Sequence, residues 1–118
     1  MALTSAALLG PGDVAIAFSH TGSTAEPLEA LRLAGRTGAT TVAVTRRPAL
    51  PLAAAADHVL TTAVRETTYR SGALASRIAQ LTLVDCLFIG LAQRELERTR
   101  SALEVTFDAV RDHRVGPR

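Results

Sequence analysis

Six consecutive residues, Ser19-His20-Thr21-Gly22-Ser23-Thr24, hold the chemistry that this sequence spells out. Ser19, Thr21, Ser23 and Thr24 are neutral hydroxyl donors, which suit the oxygens of a phosphate monoester. Gly22 lets the backbone adopt positive φ, so successive N–H groups can converge. After Thr24 the apolar spacing becomes helical, so the loop opens a helix. The first helical N–H groups lack intrahelical partners, and the helix dipole favours negative charge there. Together these features describe an anion site. The loop has no Walker lysine and no GxGxxG spacing, so a nucleoside triphosphate or a dinucleotide fits poorly. A plainer reading stands beside it: Ser23 or Thr24 caps the helix, with Glu26 in its first turn.

The elements that must position this loop follow from periodicity. Residues 13–18, an apolar run with β-branched members, read as a buried strand entering the loop. Before it, residues 3–9 are a short helix candidate stopped by Gly10-Pro11-Gly12. The helix after the loop covers about 24–37, with Leu28, Leu31, Leu33 and Ala34 on its apolar side and Gly35 and Gly38 at its end. A strand at about 40–45, the loop Arg46-Arg47-Pro48, a short Ala-rich helix at 50–55 and a brief strand at 58–61 come next. A long helix at about 71–92 has apolar residues on most sides, among them Leu74, Ile78, Leu81, Val84, Leu87, Phe88 and Leu91. That pattern predicts a central, buried helix. Residues 93–113 form a charged amphipathic helix with Leu96, Leu103 and Val110 spaced by seven. Alternating strands and helices argue for a parallel sheet covered on both faces. Ligands of such sheets bind at the carboxyl ends of the strands, where the loops 19–24, 45–48 and 62–71 should meet.

The residues quoted so far carry a resemblance. Ser19-His20-Thr21-Gly22-Ser23-Thr24 resembles the S-x-S-G-x-T loop of the SIS (sugar isomerase) domain, with Thr21 in place of the second serine. The likeness continues through Glu29–Ala34, Gly38–Thr45, Pro51–Ala53 and Ala56-Asp57. At Arg70-Ser71-Gly72-Ala73-Leu74-Ala75-Ser76-Arg77-Ile78-Ala79-Gln80-Leu81 it is similar to the ligand-sensing domain of RpiR/MurR-type transcriptional regulators. It covers about residues 10–95. The resemblance implies a three-layer α/β/α, flavodoxin-like fold that binds a phosphosugar with the phosphate on the 19–24 loop. It implies a homodimer, and DNA contact only through a helix-turn-helix domain that this sequence does not contain. The sequence begins just before the second strand of the SIS pattern, so the first βα unit is expected to be missing. Residues 1–118 are then one partial SIS domain.

Outside the loop the candidates are weaker. Glu66 is a conceivable base on the 62–71 loop, or a solvated carboxylate. SIS isomerases that this chain resembles carry a glutamate near the start of the long helix, and the matching position here is Ser76. A serine cannot serve as that base at neutral pH without a partner. Arg77 and Gln80 share a helix face and either reach a ligand or face polar loops. His20 is expected to contribute its backbone, and Arg46-Arg47 to be an exposed pair. The reading is an effector-sensing domain of a regulator of carbohydrate metabolism. The rivals are a sugar-phosphate isomerase and an interaction module that binds no sugar.

Composition fits one domain: 118 residues, 47% apolar, 3% aromatic and no Trp, so the core is Ala, Leu, Val and Ile. The net charge is +2, all basic residues are arginine, and they are scattered. Scattered charge is not the footprint of a nucleic-acid surface. Cys86 sits in an apolar helical stretch and reads as a buried, inert thiol. His20, His58 and His113 lack ligand spacing, so neither a metal nor a cofactor is expected. No segment reaches the roughly 18–20 apolar residues that a membrane span needs, and no secretory signal is visible, so no membrane partner is expected and the protein is expected to be cytoplasmic and soluble.

Overall fold

The computed structural model of the chain describes residues 1–64 and 74–111. The chain divides into two compact units, Met1–Leu83 and Val84–Arg118. In the first unit, α1 (Ala2–Ala7) leads through a Gly-Pro-Gly turn into β1 (Val14–Phe18). The turn is closed by Asp13: its N–H donates to the Gly10 carbonyl (3.0 Å), and its carboxylate accepts from the Gly10 N–H (2.9 Å). Then come α2 (Ala25–Arg36), β2 (Thr40–Thr45), α3 (Pro51–Ala54) and β3 (His58–Thr61). The two later strands occupy the spans that their β-branched runs predict.

The three strands form a parallel sheet in the order β1-β2-β3, with Val14 beside Thr40 and Val42 beside His58. In-register residues of parallel strands share a face, and alternate residues share the other. Ala15, Ala17 and Ala43 line one face. Small side chains there let the helices approach closely, and Leu31 of α2 and Leu52 of α3 close on Ala43 to form the core. A second cluster, Ala6, Ala34 and Ala39, joins α1 to α2. On the opposite face of β1, Val14, Ile16 and Phe18 remain 57%, 46% and 36% exposed. That face of β1 needs a cover that the described residues do not supply.

Asp57 ties β2 to β3 at the amino end of the sheet. Its carboxylate accepts from the Thr41 N–H (2.8 Å) and the Thr41 hydroxyl (2.9 Å), while its own N–H donates to Thr41 Oγ1 (2.9 Å). The backbone bond, then the hydroxyl bond, hold its carboxyl below the usual carboxylate range.

The long helix α4 (Leu74–Arg94) corrects three expectations. It is not a buried central helix: Ser76 is its one buried residue, and Ile78, Leu81, Phe88 and Leu91 are 59–68% exposed. Apolar residues all round a helix say that it needs covering, not what covers it. Cys86, expected to be buried, is exposed for the same reason, and so is Asp85. By length and composition α4 is also apolar enough to cross a membrane, against the expectation that no segment is. Isolated polar residues such as Arg77 and Asp85 interrupt the run without cancelling its average. Core helices and interface helices meet the same criterion.

In the second unit, α5 (Leu96–Arg111) has no buried residue. Leu96, Leu103, Phe107 and Val110 line an apolar groove along it, and Arg100 and Glu104 pair at 3.2 Å on its surface.

Candidate functional site

The 19–24 loop leaves the carboxyl end of β1 and is held there by backbone bonds to its neighbours. Ser19 N–H donates to the Val44 carbonyl (3.0 Å), which extends the β1–β2 ladder by one residue. The His20 carbonyl accepts from Arg46 N–H (3.4 Å) and from the Thr45 hydroxyl (3.5 Å). The Gly22 carbonyl accepts from Leu52 N–H (2.9 Å), anchoring the loop to the start of α3. Gly22 itself sits at φ +66°. Its N–H donates to both the Ser19 carbonyl and Ser19 Oγ, each at 3.1 Å.

This turn brings three hydroxyls into a triangle. Ser19 Oγ lies 3.0 Å from Thr24 Oγ1 and 3.5 Å from Thr21 Oγ1, and the two threonine oxygens are 3.4 Å apart. Good O–H···O bonds centre near 2.7–2.8 Å. Two sides of the triangle are therefore weak bonds, so these hydroxyls can turn to a stronger acceptor at small cost. Ser19 Oγ already accepts from Gly22 N–H, which leaves its proton to donate.

The helix end adds backbone donors. Thr24 is the N-cap of α2 in an extended conformation, but its side chain makes no capping bond. Its hydroxyl belongs to the triangle instead, which sets aside the plain capping reading for Thr24. Ser23 is exposed and makes no hydrogen bond among the described residues. Pro27 has no N–H, and the first intrahelical bond joins Leu28 N–H to the Thr24 carbonyl (3.4 Å). The N–H groups of Ala25 and Glu26 thus point along the helix axis without intrahelical acceptors. Neutral hydroxyls, two N–H groups without acceptors among the described residues and a helix dipole make a site suited to a multivalent oxyanion.

The other candidates divide. Ser76 is buried in the first turns of α4, Gln80 is half-buried and Arg77 is exposed. Arg46 and Arg47 are exposed, as their loop position predicts. Glu66 lies outside the described residues. No cluster of metal-ligating side chains occurs among the described residues.

Two polar atoms at this end of the sheet were not visible in the sequence pattern. His20 Nδ1 and Thr62 Oγ1 are both buried and have no hydrogen-bond partner among the described residues. Only burial distinguishes Thr62 from any threonine at a strand end.

Comparison with known proteins gives this geometry a lineage. A model of the SIS domain matches residues 2–90. An uncharacterized HTH-type transcriptional regulator of Caldanaerobacter subterraneus subsp. tengcongensis is 45% identical over 108 residues, which are 92% of this chain and 38% of that protein. The HTH-type transcriptional regulator RpiR of Escherichia coli K12 is 33% identical over 104 residues, 88% of this chain and 35% of that protein. The chain therefore spans little more than a third of either relative. Among solved structures, Vibrio vulnificus NanR complexed with ManNAc-6P superposes with a TM-score of 0.85 at 30% identity, over 98% of this chain and 43% of NanR. The sugar isomerase domain of the RpiR transcription factor from Sphaerobacter thermophilus gives a TM-score of 0.72 at 28% identity, over 89% of this chain and 56% of that one. The family match takes in every strand that frames the hydroxyl loop and runs on through most of α4, and on that ground the chain belongs to the SIS domain family.

Proposed function

We propose that this chain is the phosphosugar-sensing part of an RpiR-type transcriptional regulator of carbohydrate metabolism, acting in the cytoplasm. The observation that carries the reading is the triangle of Ser19, Thr21 and Thr24 hydroxyls at the unpaired N-terminus of α2. A phosphate monoester brings three acceptor oxygens, one for each hydroxyl, while the N–H groups of Ala25 and Glu26 face the same charge. Ser23 and the backbone of His20 and Gly22 complete the phosphate loop. Glu66, Ser76, Arg77 and Gln80 are the proposed contacts to the rest of the ligand. NanR, complexed with ManNAc-6P, supports a phosphosugar rather than another anion. DNA contact would belong to a helix-turn-helix domain, as the names of the relatives indicate.

The rival readings lose ground on two features. Isomerisation needs a base that moves a proton between carbons, and position 76 is serine. A module that binds no sugar gives no reason to hold three hydroxyls loosely around one point.

Thermal melts against N-acetylmannosamine 6-phosphate, hexose 6-phosphates and pentose 5-phosphates test the reading. An ester at 100 times its Kd should stabilise the protein by about 2.7 kcal/mol. Ser19→Ala and Thr21→Val should abolish the shift, and the same samples should show no exchange of sugar C–H with solvent deuterium. If no ester moves the midpoint and both variants behave as wild type, the reading fails.

A further inference from the structure

We propose that Thr62 is the specificity-determining hydroxyl of this site, reading a hydroxyl group on the sugar body while the 19–24 loop holds the phosphate. The inference rests on the phosphosugar reading above and adds a residue to it.

Thr62 follows the last residue of β3 and is 6% exposed. Its N–H donates to the Thr45 carbonyl (3.1 Å), so its backbone is fixed in the sheet. Its Oγ1 is buried without a partner among the described residues. A buried hydroxyl with no bond is a net cost to the folded protein. Valine would fill the same volume without that cost, so the hydroxyl points to a partner that the described residues do not supply.

A second orphan lies at the same end of the sheet. His20 Nδ1, also buried and unbonded, belongs to the phosphate loop. Thr45 links the two residues: its hydroxyl donates to the His20 carbonyl at 3.5 Å, and its carbonyl accepts from Thr62 N–H at 3.1 Å. Ser19, Thr45 and Thr62 thus close the carboxyl ends of β1, β2 and β3, and they are 7%, 0% and 6% exposed. This end of a parallel sheet is where ligands bind.

The chemistry of the orphans narrows the ligand class. A threonine hydroxyl both donates and accepts, and a neutral imidazole nitrogen does one or the other. A phosphate oxygen only accepts, and the loop already offers it donors. A polyhydroxylated body supplies groups that do both.

Calorimetric titration of wild type, Thr62→Val and Thr62→Ser with inorganic phosphate, hexose 6-phosphates and pentose 5-phosphates tests this. Thr62→Val is expected to lose about tenfold in affinity for the tightest sugar phosphate, the worth of one hydrogen bond, with no change for inorganic phosphate. Thr62→Ser should restore most of the loss. The ligand-free Thr62→Val protein should melt at or above the wild-type temperature, because a hydroxyl bonded within the fold would lower it when removed. The inference is overturned if sugar phosphates bind Thr62→Val as well as wild type, if inorganic phosphate weakens in parallel, or if the ligand-free variant melts lower. A wild type that binds no sugar phosphate defeats the phosphosugar reading itself, and this inference falls with it.

Discussion

Gly22 leaves no room for a side chain in the hydroxyl loop. It sits at φ +66°, and a Cβ there would lie 2.5 Å from Leu50 Cβ and 2.8 Å from Thr45 Oγ1. An L side chain in this region costs about 1–2 kcal/mol, and overpacking adds about 1–3 kcal/mol. Gly22→Ala should therefore lose roughly 2–5 kcal/mol in denaturant unfolding. Exposed Ser23→Ala should stay within about 0.5 kcal/mol of wild type. Equal stability of the two variants would mean that the loop is free to rearrange. At this scale the sequence is legible where residue type is the message. Hydroxyls and a glycine between a strand and a helix mark the loop without any coordinates. Thr62 carries no such mark, because its interest lies in burial without a partner, a property of the packing around it.

Strands and short helices were readable because each satisfies its own local rule. The run Thr40–Thr45 is β-branched at every position but Ala43, and Gly38 ends the preceding helix at φ +93°. How β2 and β3 are tied together was not readable, since it depends on Asp57 reaching back sixteen residues to Thr41. The folded carboxyl titrates below its unfolded value, so its stabilisation is present above the unfolded pKa and is lost as pH falls through the folded one. Asp57→Asn should thus unfold at lower denaturant than wild type at pH 7. The gap should narrow below about pH 4, as the wild-type carboxyl becomes neutral too. Parallel denaturation curves at pH 7 and pH 3 check this, and a gap that is constant with pH would remove the charge from the explanation. The long helix failed as a sequence reading for the opposite reason. Its apolar periphery was correctly seen, but burial is a relation between surfaces, and Leu81 at 66% exposed has no covering surface among the described residues.

For the whole molecule, the exposed apolar surface is the feature that demands an account. Leu96, Leu103, Phe107 and Val110 of α5 are 56–63% exposed and form one groove. In the other unit, Val14 and Ile16 of β1 are half-exposed on a strand that is an edge among the described residues, and an edge strand is a template for pairing. Patches of this kind mark sites of association. We propose that a second copy of the chain covers the α5 groove, since Arg100 and Glu104 beside the stripe, with Arg98 and Asp108 on the same helix, give it charges of both signs. An isologous interface needs that balance, because each copy meets its own charges. Replacing Leu103 and Phe107 with Asp should weaken association by a few kcal/mol, since each buried apolar side chain contributes about 1.5–3 kcal/mol. Sedimentation velocity of wild type and the double variant decides the matter. A dimeric wild type and a folded, monomeric variant place the interface on α5. A wild type that stays monomeric at micromolar concentration would mean that this stripe is covered by something other than a second copy.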